Sequence, residues 1–265
     1  MLKNRKIALF VGCFAVLALM LQFNLNNKLD FPTCEDKKLL VTDIAFFVDI
    51  GVLERNKKVD VENRIIDMLG VANSTLENSC INLQRRLDTV YYEDLQNIPQ
   101  QGTEYALKHD ELIWKMDSKK RELFITNPTK YIVAIYKQLP GDVIGYTHAA
   151  HASRFVVLSY EANNFALEHE LGHLALAGHE SNDEPRLFGG SAKIAHAYRC
   201  GNVRSIMNED RSSGDLAPFY SSPNIRFKNE SCGLLNDANN TEQLIRWTRL
   251  LEANIDLYQS LGVID

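Results

Sequence analysis

Residues 169–179 run HELGHLALAGH, and three imidazoles and a carboxylate in that pattern are the side chains best placed to do chemistry. His169 and His173 are four apart, which on a helix of 3.6 residues per turn leaves them about 40° from each other around the axis. Both rings can therefore reach one cation lying about 2.0–2.1 Å from each nitrogen, the distance zinc takes. Glu170 projects beside that cation rather than onto it, where a carboxylate can take a proton from a water that the ion has acidified. Two imidazoles leave a zinc shell short of ligands, and His179 is the candidate third. It lies six residues past His173, roughly 120° away on a continued helix, so the helix must end between the two. Gly178 gives some freedom to turn, just before His179. Zn²⁺ is thus the expected cofactor.

No other constellation competes. His109, His148, His151 and His196 lack ligand-like spacing and are expected as core or surface residues, with His148 and His151 nearest the cleft. There is no Ser-His-Asp pattern and no Gly-rich phosphate loop. The chain of 265 residues carries 29 Lys and Arg against 34 Asp and Glu, a net charge of −5, with 45% apolar residues. That composition excludes a wholly disordered chain. The acidic balance argues against nucleic acid as a partner, since phosphate neutralisation needs a basic surface.

Lys3, Arg5 and Lys6 precede an uncharged, mostly apolar run at 7–23. This is the export pattern, either an uncleaved signal-anchor or a cleaved signal peptide. The chain is expected to be exported, anchored facing the periplasm or extracellular side, or secreted if the segment is removed. Four cysteines remain beyond it, Cys34, Cys80, Cys200 and Cys232, an even number that suggests two disulfides in an oxidising compartment. Three connectivities are open, and proximity favours Cys34–Cys80 and Cys200–Cys232. Four buried free thiols are the alternative. Nothing in the sequence sets an oligomeric state.

The elements that must position the histidines follow from periodicity. Residues 24–38 are polar and read as a tether ahead of a domain at 39–265. Residues 39–49 (LLVTDIAFFVD) predict a buried strand. Residues 60–79 predict a helix, with Val61, Ile65, Met68, Leu69 and Leu76 near helical spacing. Strands are expected at 81–92 and 131–139, a helix at 103–120, and short strands at 143–147 and 155–160 around the Pro140-Gly141-Asp142 turn. Residues 164–176 predict the helix that bears His169 and His173. Residues 178–230 are mostly loop, and 241–261 form the clearest helix, with Asn240 as its cap. The order implies an α+β architecture, a mixed α/β sheet with helices packed on it.

The stretch at 169–179 resembles the metzincin zinc-peptidase consensus H-E-x-x-H-x-x-G-x-x-H, with His169, Glu170, His173 and His179 in register. Leu176 stands at the consensus Gly, where the family's chain turns away from the helix. A Leu held at positive φ costs on the order of 1–2 kcal/mol; alternatively the turn shifts to Gly178, with Glu180 and Asp183 as fallback ligands. Ser205-Ile206-Met207-Asn208, 28 residues after His179, looks like the family's Met-turn. The resemblance implies that Met207 packs beneath the metal without ligating it. Residues 219–225 (FYSSPNI) and 236–255 are similar to bacterial reprolysin-like (adamalysin-type) members.

That resemblance implies a metzincin-like catalytic domain, with an upper sheet-helix subdomain and a lower irregular one enclosing a cleft. An edge strand at 144–149 would align an extended protein or peptide substrate, and the loop 207–223 would wall the specificity pocket. The implied activity is that of a zinc-dependent endopeptidase. Two alternatives stand beside it. One is a membrane-tethered zinc-binding protein without turnover, disabled at Leu176, against which the intact Glu170 argues. The other is a different zincin with Glu209 as third ligand, disfavoured by the register of His179 and Met207.

Overall fold

A run of β-branched and aromatic residues buried on both faces belongs in the middle of a parallel sheet, and the segment Leu40–Asp49 takes that place. The computed structural model describes residues 28–100, 102–179, 194–209 and 214–264. The apolar run 7–23, Glu180 and Asp183 lie outside the described residues. Among the described residues, no helix is long and apolar enough to cross a membrane.

In chain order the elements are β1 (Leu29–Asp30), β2 (Leu40–Asp49), α1 (Lys58–Asn78), β3 (Leu83–Glu93), α2 (Thr103–Lys115), α3 (Ser118–Thr126), β4 (Lys130–Tyr136), β5 (Gly145–Tyr146), β6 (Phe155–Ser159) and α4 (Ala166–Leu174). Then come β7 (Arg199–Cys200), β8 (Val203–Arg204), β9 (Asp215–Leu216), β10 (Ser222–Phe227), β11 (Glu230–Cys232) and α5 (Asn240–Ser260). The main sheet is five-stranded, in the order β3-β2-β4-β6-β5. All its pairings are parallel except β5 on β6, so the class is mixed α+β, as expected.

Strand alternation sorts the core into two layers. Ile44, Phe46 and Val48 of β2 face α1 and α4, where Ile65, Met68, Leu167 and Leu171 meet them. Ala45 and Phe47 face the opposite layer, with Tyr105 and Leu112 of α2 and Phe124 of α3. The histidine-bearing helix α4 thus lies on one face of the sheet. Its apolar residues Leu167 and Leu171 are spent on that face, while Glu170 reaches the edge of the sheet at Gly145.

Some elements depart from expectation. The helix expected over 103–120 is two helices, because Met116 is extended (φ −74°, ψ 156°) and the Asp117 carboxylate accepts the Lys120 amide at 3.0 Å. Asp117 caps α3 instead of continuing α2. The edge strand expected over 144–149 is only Gly145–Tyr146, because the chain turns at His148, whose carbonyl accepts the amides of His151 (2.9 Å) and Ala152 (3.0 Å). Among the described residues, the range 178–232 holds five short strands, with β10 and β11 closing a small core around Phe219, Ile225 and Phe227.

Residues 28–38 are held to the domain at two points. Leu29 and Asp30 pair with Phe227 and Arg226, and Cys34 is bonded to Cys80. The second disulfide joins Cys200 to Cys232. Both pairings are the ones proximity favoured.

Candidate metal centre

Helix α4 ends through the conformation of one residue. Leu176 has φ +65°, the amide of Leu176 donates to the His173 carbonyl (3.0 Å), and that of Ala177 donates to the Gly172 carbonyl (2.9 Å). This is a Schellman ending with Leu176 at the left-handed position, where glycine is usual. The turn therefore falls at the consensus position and is not shifted to Gly178. It also delivers the Ala177 carbonyl to His173 Nδ1, 2.9 Å away.

The chain is then held on its way to His179. Asn240, fully buried, accepts from the Gly178 amide at 3.1 Å and donates to the Gly178 carbonyl at 2.9 Å. The His179 carbonyl accepts the Ala197 amide at 2.7 Å. Asn239, rather than the expected Asn240, caps α5 through the Glu242 amide at 3.2 Å.

The three imidazoles converge. His169 Nε2 lies 3.2 Å from His173 Nε2 and 3.2 Å from His179 Nε2, and the three rings form one group of donors able to hold a metal ion. His169 Nδ1–H donates to the Ile206 carbonyl at 3.0 Å, and His173 Nδ1–H donates to Ala177. Those bonds turn the Nε2 lone pairs inward, the arrangement a ligating histidine needs. Two nitrogens about 2.0–2.1 Å from a tetrahedral ion are about 3.3–3.4 Å apart. The observed spacing fits such an ion closely. Burial holds the His169 imidazole below its ordinary pKa, against the Ile206 hydrogen bond that raises it, which favours the neutral, ligating form.

Glu170 is buried beside this group. Burial, and then the charge of Glu209, push its carboxyl up to about 8. A dication in the site would pull it back toward the ionised form. Space for Glu170 comes from Gly145 on β5, where a Cβ would stand 3.1 Å from Glu170 Oε1 and 2.7 Å from Leu158 Cδ2. Met207 is fully buried. It packs under α4, where a Cβ on Gly172 would meet Met207 Sδ at 3.0 Å and Tyr220 Oη at 2.7 Å.

The remaining candidates fall outside the three-donor group. Glu209 Oε1 lies 3.3 Å from His179 Nε2 with its side chain 59% exposed, and it is not part of the three-donor group. His148 stacks edge-on against Tyr105 (centroids 5.0 Å) and near His151 (6.4 Å). His196 faces Asp237 at 3.8 Å, and His109 meets Asp110 at 3.3 Å. Sequence reasoning missed Gly145 and the clamp that Asn240 makes on Gly178. A glycine inside a strand was a usable sign of close approach; the paired asparagines at 239 and 240 gave no sign that only one of them caps.

The Leu176 conformation has a measurable cost. Leu176→Gly should relieve about 1–2 kcal/mol of left-handed strain and lose up to about 1 kcal/mol to unfolded-chain entropy. A net gain of roughly 0.5–1 kcal/mol raises the melting midpoint by about 1–4 °C, with zinc affinity unchanged. Thermal unfolding of the two metal-loaded proteins checks this, and a lower midpoint for the glycine variant would contradict the strained turn.

No protein-family model matches the sequence, and no curated protein does. Solved structures similar in shape include three of low identity. A chain in a structure of a chaperone–substrate complex superposes with a TM-score of 0.63 at 13% identity, covering 83% of this chain and 35% of that one. This chain thus spans about a third of that chain's length, and the likeness is one of fold alone. Metalloproteinase-II from Bacteroides fragilis gives 0.46 at 12% identity, over 84% of this chain and 57% of that one. Mature mirolysin from Tannerella forsythia, in complex with a cleaved peptide, gives 0.45 at 12% identity, over 87% of this chain and all of that one (100%).

Proposed function

We propose that this chain is a zinc-dependent endopeptidase of metzincin type, hydrolysing peptide bonds of protein or peptide substrates. The observation that carries the reading is the convergence of three inward-facing Nε2 atoms, two of them 3.2 Å from the third, next to a buried carboxylate. His169, His173 and His179 would hold the ion. Zinc bound there supplies Lewis acidity toward a carbonyl oxygen and toward water. Glu170 accepts the proton of the attacking water and passes it to the leaving amine. Met207 and Tyr220 fill the space under α4 and keep it from sinking toward the floor. The edge strand Gly145–Tyr146 aligns an extended peptide by main-chain pairing. The sequence motifs at 205–208 and 219–225 support a reprolysin-like member of that family. Two disulfides support export into an oxidising compartment, with the segment 1–23 either anchoring the chain in a membrane or removed.

The test is metal removal. The full chain, purified in detergent, should contain one zinc and cleave casein or members of a peptide library. A chelator such as 1,10-phenanthroline should abolish cleavage, and stoichiometric Zn²⁺ should restore it. Cleavage that survives complete metal removal would defeat the proposal. Full zinc occupancy with no cleavage of any protein or peptide would favour the zinc-binding protein without turnover.

A further inference from the structure

Arg85 and Glu168 form an ion pair with side chains 1% and 0% exposed. It plays no part in the chemistry above, yet Glu168 immediately precedes His169. Arg85 Nε donates to Glu168 Oε2 at 3.0 Å and Arg85 Nη2 to Oε1 at 3.2 Å, a two-point grip. The Tyr220 hydroxyl lies 2.9 Å from both Glu168 Oε1 and the Glu168 carbonyl oxygen. Arg85 is itself fixed from two sides. Its Nη1 donates to Thr42 Oγ1 on β2 at 3.1 Å. Its backbone exchanges hydrogen bonds with the Asn73 side chain of α1 at 2.8 and 2.9 Å.

Stability does not account for such a pair. Removing two charges from water is costly, and apolar side chains of similar volume would hold the same elements together at least as well. What apolar packing does not supply is direction. Leu167 and Leu171 tolerate small rotations and slides of α4 over the sheet, whereas a bidentate guanidinium–carboxylate contact admits one geometry. The contact is made one residue ahead of His169, and Tyr220 extends it to the underside of Gly172 beside Met207. We propose that the Arg85–Glu168 pair is the positioning element of the metal centre, setting the rotation and depth of α4 so that His169, Glu170 and His173 meet the ring of His179.

This inference rests on the metal-site reading above, and its test separates the two. Zinc affinity is measured by competition with a chromophoric chelator, and the ligand field by the visible bands of the Co²⁺-loaded protein. Arg85→Met combined with Glu168→Leu should melt within a few degrees of the parent or above it. It should nevertheless bind zinc about 10–100-fold more weakly, the usual effect of losing outer-shell support, with shifted Co²⁺ bands. Because the double variant could fail to fold, Arg85→Lys is measured beside it. That variant keeps the charge and loses the two-point grip, and it should also weaken zinc binding and shift the bands. Unchanged affinity and bands in whichever of these variants fold would overturn the inference while leaving the metal site intact. A parent protein that binds no zinc would instead sink the reading beneath it.

Discussion

Glu170→Gln is expected to keep its zinc and lose about 10²–10⁴-fold in kcat/KM, the range that general-base catalysis supplies. This corresponds to roughly 3–5 kcal/mol of transition-state stabilisation. The amide has the size and shape of the carboxylate, so the close fit against Gly145 and Leu158 survives. Metal content should be unchanged, because Glu170 is outside the three-histidine donor group. What the amide lacks is the capacity to accept a proton. The pH profile carries the same information. Without a cation, burial pushes the Glu170 carboxyl up to about 8, and a neighbouring dication moves it down. Activity should therefore rise with pH through a value below about 8 as the base ionises, and this acidic limb should vanish in the variant. Zinc analysis and kcat/KM against pH measure both effects. Equal cleavage by parent and variant would remove Glu170 from the mechanism.

The histidine spacing was legible because it depends on one helix. Four residues on a 3.6-residue turn bring His169 and His173 onto one face regardless of what surrounds them. His179 was legible only through its register, since its position depends on Leu176 adopting φ +65°. A leucine gives no local signal of that conformation; the hydrogen bonds of the helix ending and the Asn240 clamp on Gly178 impose it. Asn240 lies 62 residues from Gly178 in sequence, and no periodicity argument joins residues so far apart. The same holds for Arg85 and Glu168, 83 residues apart. Sequence alone presents them as one basic residue in an alternating strand and one acidic residue in a helix.

Local signals were also misjudged where a polar side chain competes with the backbone. Asp117 ends one helix and starts another by accepting an amide, while the composition on either side remains helical. The strand β5 shortens because the His148 carbonyl gathers two amides into a turn. By contrast, β2 was plain from its run of β-branched and aromatic residues, and both disulfides followed from proximity. Elements fixed by their own pattern were visible. Junctions fixed by one distant partner were not, and the three-histidine cluster is built largely from such junctions.

His179→Ala should cost far more zinc affinity than Glu209→Ala, which distinguishes a three-histidine site from one completed by a carboxylate. Structural zinc sites of four ligands release about 10–16 kcal/mol on binding, roughly 2.5–4 kcal/mol per ligand. Loss of a true ligand should therefore weaken binding by about two to three orders of magnitude. The local backbone should persist in His179→Ala, because the carbonyl of residue 179 accepts the Ala197 amide and Asn240 grips Gly178 on both sides. The defect should then appear as lost metal rather than lost fold. Glu209 stands 3.3 Å from His179 Nε2, but its side chain is 59% exposed, so water and salt screen its charge. Removing it should change zinc affinity by less than about tenfold. Competition titrations with a chromophoric chelator, run beside circular dichroism, measure both variants. Retention of zinc by His179→Ala with loss in Glu209→Ala would reverse the assignment, because the 3.3 Å contact would then mark the carboxylate as the ligand and the imidazole as its hydrogen-bonding partner.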